Sequence, residues 1–183
     1  LVTDVNHNPV PGVSVTFAVA SGGGSVTGAN QTTSASGIAT LGGWTLGTVA
    51  GNGNNSVTAT AGSLGTTFTA SGTPAALEHF LIESAAGGPI ATQEAGTAFA
   101  IRITAQEQFN NTVTSFTETV NITSNRAASA GLGTSPAFVA GVLASQSVTL
   151  TETGANSTIT ATRTAGGVPS NASNTFTVNP GAV

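Results

Sequence analysis

Asp4, His7 and Ser14 put a carboxylate, an imidazole and a hydroxyl close together in the chain, the residue types of a nucleophilic triad. A triad needs a base oriented by a carboxylate beside an activated hydroxyl. Here the acid and the base flank Asn6-His7-Asn8-Pro9, where Asn tolerates left-handed backbone and Pro ends strand pairing, so the segment reads as an exposed hairpin turn. The other histidine, His79, stands beside Glu78 and near Glu83, which invites a metal reading. In an extended strand, however, Glu83 would lie about 13 Å from His79, beyond joint ligation of one ion. Asp4 is the single aspartate among seven acidic residues, so neither an Asp-rich calcium loop nor a close carboxylate pair can be assembled. The chain has no Cys, which removes thiolate, thioester and cysteine–zinc chemistry. All three basic residues are arginines, Arg102, Arg126 and Arg163, so a Lys-to-Asn isopeptide staple is excluded too. The reading is of a chain that is not an enzyme, with no catalytic, cofactor-binding or metal residues and no cofactor.

Trp44, the single tryptophan, is the residue best suited to contact a ligand, because an exposed indole can stack on a sugar ring. The competing and favoured reading packs it across a core or at its end. Gly22-Gly23-Gly24 lacks the strand-to-helix setting of a phosphate loop and reads as a flexible turn. The pattern Asn-x-Ser/Thr occurs at Asn30, Asn54, Asn110, Asn121, Asn156 and Asn171, an acceptor pattern that a chain so rich in Ser and Thr produces largely by chance. The three arginines are scattered through the second half and the net charge is −4, so no basic patch exists for nucleic acid. No run approaches the eighteen or so apolar residues of a bilayer span.

What remains is architecture. Charged residues are 5% of the 183, against about 25% in an ordinary soluble domain, and Thr, Ser, Asn and Gly take their place. With aromatics also at 5%, cores must be filled mainly by Val, Ile, Leu, Ala and the eight Phe. Val13, Val15, Phe17 and Val19 alternate with Ser14, Thr16 and Ala18, the period of a half-buried strand, and Phe99, Ile101, Ile103 and Ala105 do the same, leaving Arg102 pointing to solvent. Further strands are expected at 57–61, 66–70, 116–124, 141–151, 157–164 and 174–179. Residues 75–83 could form a short helix, but the alternation of Phe80 and Ile82 favours a strand. Ser71-Gly72-Thr73-Pro74 interrupts the alternation as a linker. The expected fold is all-β, two tandem β-sandwiches at 1–74 and 75–183. One core should hold Val13, Val15, Phe17, Ile38, Trp44 and Val57, the other Phe80, Phe99, Ile101, Ile103, Val120 and Ile159. Glu118 shares parity with Phe116 and Val120; since an unpaired buried carboxylate is too costly, a bulge or strand end should turn it to water near an arginine.

The segment Asp4-Val5-Asn6-His7-Asn8-Pro9-Val10-Pro11-Gly12-Val13-Ser14-Val15-Thr16-Phe17, with Gly22-Gly23-Gly24-Ser25, Ser36-Gly37-Ile38-Ala39-Thr40 and Trp44-Thr45-Leu46-Gly47, resembles a bacterial immunoglobulin-like domain of the first group, the type repeated in invasin and intimin adhesins. The likeness covers residues 1–72 and departs from the family at His7, where Gly is usual. The second unit, through Leu77-Glu78-His79-Phe80, Ala95-Gly96-Thr97-Ala98-Phe99 and Asn111-Thr112-Val113, resembles another Ig-like repeat of bacterial surface proteins, with Glu107 and Asn110 where Asp and Gly are usual. The resemblance implies an extracellular, cell-surface array in which the chain is a structural module: a stalk, spacer or filament repeat. Its partners would be neighbouring Ig-like repeats or copies of itself. The alternative it implies is an adhesive module whose loops recognise a carbohydrate or host protein. It also implies one or two strands ahead of Leu1, from the same polypeptide or donated by another copy, without which the first sandwich is incomplete. The absence of Met and Cys, the usual oxidation targets, suits exposure outside a cell.

Overall fold

The computed structural model describes residues 1–166 and 169–181, and the chain divides into two compact units, Leu1–Thr73 and Pro74–Val183. No helix occurs among the described residues.

In the first unit the alternating run becomes β1 (Ser14–Ser21), followed by β2 (Ser25–Thr27), β3 (Asn30–Thr32), β4 (Gly43–Thr45), β5 (Gly51–Ala61) and β6 (Leu64–Gly72). The main sheet is antiparallel in the order β3-β1-β5-β6, and β2 pairs with β4 as a separate hairpin. Val15 and Phe17 of β1 and Val57 and Ala59 of β5 form the buried core, with Val2, Val26, Leu41 and Trp44 packed against it. Two core expectations change. Val13 is only half-buried, and Ile38 is 50% exposed, because the turn closed by Gly37 N–H to Ser34 O, with Gly37 at φ +70, resets the parity. Ala39 and Leu41 face the core in place of Ile38. The glycine run is not a free turn either. A Cβ on Gly24 would lie 2.1 Å from the Thr45 carbonyl oxygen, and one on Gly47 1.7 Å from that of Gly22, so two backbones cross in contact.

The second unit comprises β7 (His79–Ser84), β8 (Gln93–Glu94), β9 (Ala98–Gln106), β10 (Val120–Ser124), β11 (Ala128–Ala130), β12 (Gly133–Thr134), β13 (Val142–Leu150), β14 (Gly154–Ser157), β15 (Ile159–Arg163), β16 (Ser170–Ala172) and β17 (Phe176–Asn179). Its two four-stranded sheets run β11-β13-β9-β7 and β12-β10-β15-β16. Taking β7, β9, β11 and β13 as A, B, D and E, and β10, β15 and β16 as C, F and G, this is the A-B-E-D sheet facing the C-F-G sheet of an immunoglobulin-like sandwich, with β12 beside C. A smaller sheet, β14-β17-β8, contains a parallel pair between β17 and β8. Both large sheets feed one core that includes Phe80, Ile101, Ile103, Val120 and Ile159. Phe99 lies at its margin, partly buried and edge-on to Phe176 at 5.9 Å.

Residues 79–84 are strand, not helix. The expected strand at 116–124 begins only at Val120, with Phe116 instead buried in a turn that its N–H closes on the Val113 carbonyl. The expected run 157–164 is split between sheets: Ser157 pairs with Phe176, and Ile159–Arg163 pairs with β10.

Candidate functional site at the open face of the first unit

Acid, base or nucleophilic chemistry would need the ionisable side chains. Both oxygens of Asp4 are engaged by the turn: Oδ1 accepts from the N–H groups of Asn6 (2.8 Å) and Asn8 (2.9 Å), and Oδ2 from Asn8 Nδ2. These bonds from Asn8 and Asn6 hold its carboxyl below the ordinary value. His7 occupies the left-handed position of that turn at φ +65, and Ser14 pairs with Thr32 in the sheet. The three residues therefore form a turn and a strand, and no triad is assembled.

Around His79, Nδ1 meets Glu78 Oε2 at 2.5 Å and Nε2 meets Gln106 Oε1 at 3.1 Å. Glu83 turns away to Arg102, its cross-strand partner, at 2.5 Å and accepts from the Gly88 N–H. Arg102 is thus drawn down onto the sheet and half-buried, where solvent was expected. Glu118 lies just ahead of β10 and binds Arg163 through both Nε (2.8 Å) and Nη2 (2.5 Å), the strand-end solution to its parity. The Arg163 bonds hold its carboxyl below the ordinary value despite partial burial. Glu152 accepts from the Ala127 N–H and from Arg126, which lowers its pKa in that order of importance. Among the described residues no group of three His, Cys, Asp or Glu side chains could hold a metal ion.

Glu107 was missed as a structural centre. It is 1% exposed, and its Oε1 accepts from the N–H groups of Phe109 and Asn111 and from Asn111 Nδ2. Burial pushes its carboxyl up, but the Asn111 and Phe109 bonds and the His79 charge outweigh this and leave it below the ordinary value. Glu107 thus ties its own turn.

Trp44 sits in β4, half-buried against the core, with Nε1 buried and without a hydrogen-bond partner. Of the Asn-x-Ser/Thr positions, Asn171 Oδ1 accepts from the Phe80 N–H and Asn54 Nδ2 donates to the Val49 carbonyl, so those two amides serve the fold. Asn30, Asn110, Asn121 and Asn156 are exposed.

With most of the charged groups assigned to the fold, the site that stands out is apolar. On β6, Leu64, Thr66 and Phe68 pair with Ala61, Ala59 and Val57 of β5, so their side chains share the core face. Across one such pair exposure jumps from 1% at Val57 to 51% at Phe68; Leu64 is 66% and Leu1 80% exposed. Between them lies a groove of about 250 Å³, floored by Val15, Phe17 and Ala59 and rimmed by Leu1, Leu64 and Phe68. β6 is also a sheet edge, with β5 its one strand neighbour among the described residues. Parity alone could have shown Phe68 facing the core; what covers it is not written in the local sequence.

The chain is an all-β protein of two tandem immunoglobulin-like sandwich units, the first with part of its core face open. No family model matches the chain, and no curated protein does. Among solved structures it is similar to the D0-D1 domain of intimin, at 16% identity and a TM-score of 0.39 over 97% of this chain and 86% of that one. It is also similar to the Yersinia pseudotuberculosis adhesin InvE, at 22% identity and a TM-score of 0.39 over 95% of this chain and 51% of that one. A third likeness is to β-glucuronidase 3 of Bacteroides uniformis, at 12% identity and a TM-score of 0.40 over 91% of this chain and 21% of that one. At these scores the likenesses carry no conclusion about activity.

Proposed function

We propose that the chain is a non-catalytic structural module of an extracellular bacterial surface protein: a stalk, spacer or filament repeat. The observation that carries this is the assignment of the charged groups. Glu83, Glu118 and Glu152 each hold an arginine, Glu78 pairs with His79, Asp4 and Glu107 close turns, and Glu94 is exposed on β8, so among the described residues these acids serve the fold or face solvent. The motif resemblance of residues 1–72 and the neutral, hydroxyl-rich composition support the surface location. An adhesive role through Trp44 is supported less, because a stacking platform needs an exposed ring and Trp44 packs on the core. The test is labelling of intact cells that make the parent protein, using an antibody raised against this chain. Label on unpermeabilised cells is expected; label confined to permeabilised cells overturns the location. A glycan or host-protein surface that retains the chain but not a Trp44→Ala variant would overturn the purely structural role.

A further inference from the structure

We propose that Asn52 is a site of self-modification, converting without an enzyme through a cyclic imide to isoaspartate and aspartate, with the Ser71 hydroxyl as the proton relay. Asn52-Gly53 is the single Asn-Gly step in the chain. At such a step the backbone nitrogen that follows can reach the asparagine carboxamide, because glycine puts no Cβ in the way. Even an added Cβ on Gly53 would meet nothing within 4 Å, and Asn52, Gly53 and Ser71 are all exposed. The ring therefore has room to close and water to open it.

The fold adds the relay. Between β5 and β6, Gly51 pairs with Gly72 and Asn55 with Ala70, so Asn52, Gly53 and Asn54 bulge opposite the lone Ser71. Within that bulge the Gly53 N–H donates to Ser71 Oγ at 2.9 Å, and the Ser71 hydroxyl donates to Asn52 Oδ1 at 2.8 Å. One hydroxyl thus accepts from the nitrogen that must lose a proton and donates to the oxygen that must gain one. The neighbouring asparagines are held otherwise. Asn54 Nδ2 donates to the Val49 carbonyl, Asn55 Oδ1 accepts from the Gly47 N–H, and each is followed by a residue with a Cβ.

In the step itself the Gly53 nitrogen attacks Asn52 Cγ and a C–N bond forms. Its proton passes to Ser71 Oγ as the Ser71 hydroxyl proton passes to Oδ1. The Cγ–Nδ2 bond then breaks, and ammonia leaves with the proton from Oδ1, which restores the carbonyl in a five-membered imide and returns Ser71 to its starting state. Water opens the imide at Cγ to give aspartate, or at the Asn52 main-chain carbonyl to give isoaspartate, whose backbone runs through the former side chain. Either product adds a carboxylate to residues 1–73, where Asp4 is the other acid.

This inference does not rest on the surface reading. The test is storage of the full chain in mildly alkaline buffer, with peptide mapping by mass spectrometry to locate each acid formed and electron-transfer fragmentation to tell isoaspartate from aspartate. Conversion is expected first at Asn52, with an equal amount of ammonia released and a more acidic species on isoelectric focusing. Ser71→Ala should slow it several-fold, and Ser71→Thr, which keeps a hydroxyl, should restore the rate. In denaturant, where the bulge no longer aligns the groups, parent and Ser71→Ala should convert alike. An Asn52 that stays intact while other asparagines convert overturns the proposal. So does a folded Ser71→Ala that converts as fast as the parent, or a difference between the two that persists in denaturant.

Discussion

Glu107 shows what a charge does in this molecule. It is buried, yet three hydrogen bonds from its own loop keep it ionised below the ordinary carboxylate range. Asp4, Glu118 and Glu152 are held low as well, by Asn8, Arg163 and the Ala127 N–H respectively. In each case the folded pKa lies below the unfolded one, so the native state binds fewer protons. That contribution is full above the unfolded value and is lost as pH falls through the folded one. Melting temperature should therefore hold steady near neutrality and drop as pH falls below about 4. A Glu107→Gln, Glu118→Gln double variant should melt lower at neutral pH and show a shallower acid decline, checked by thermal melts across the pH range. An acid decline as steep as that of the parent would show that other groups carry it. The Asp4 turn was legible because Asn and Pro announce it. Arg163 as the partner of Glu118 was not, since the pair is 45 residues apart and only the fold joins them.

At the level of elements, legibility followed alternation. β1 and β9 were readable because apolar and polar residues change places at every step, and their inward sets are buried nearly as expected. Ile38 was misplaced because a turn lies between it and the nearest strand, and parity does not carry through a turn. The glycine crossing was invisible, since Gly-Gly-Gly reads the same whether free or pressed against Gly47. Gly24→Ala should thus be severely destabilising, because its Cβ would overlap the Thr45 carbonyl, whereas Gly23→Ala, with nothing within 4 Å, should show only the backbone strain of φ +77, about 1–2 kcal/mol. Chemical denaturation of the two variants checks this, and equal losses would refute the crossing. The cores give a parallel contrast. Phe80 is 3% exposed and contacts the rings of Phe116 and Phe138, so Phe80→Ala should cost about 3–5 kcal/mol, and the partly buried Phe99 less.

Over the whole molecule, the two units differ in charge and in core: residues 1–73 carry one acidic side chain and no arginine, and the rest carry six glutamates and three arginines. Among the described residues the first core cluster buries four apolar side chains and the second eighteen, although the first unit has more than half as many residues. Hydrophobic burial is the main stabilising term and scales with area removed from water, so the first unit should open at the lower free energy. Its sandwich was predicted correctly as a class, but its open face follows from which strands meet over the sheet, a property that no window of sequence contains. Native-state hydrogen exchange on dilute protein should show the Val57 and Ala59 amides of β5 exchanging faster than those of Ile101 and Ile103 in β9, all of which lie in paired strands. Equal protection of both pairs in dilute solution would show that the smaller core is no weaker than the larger one.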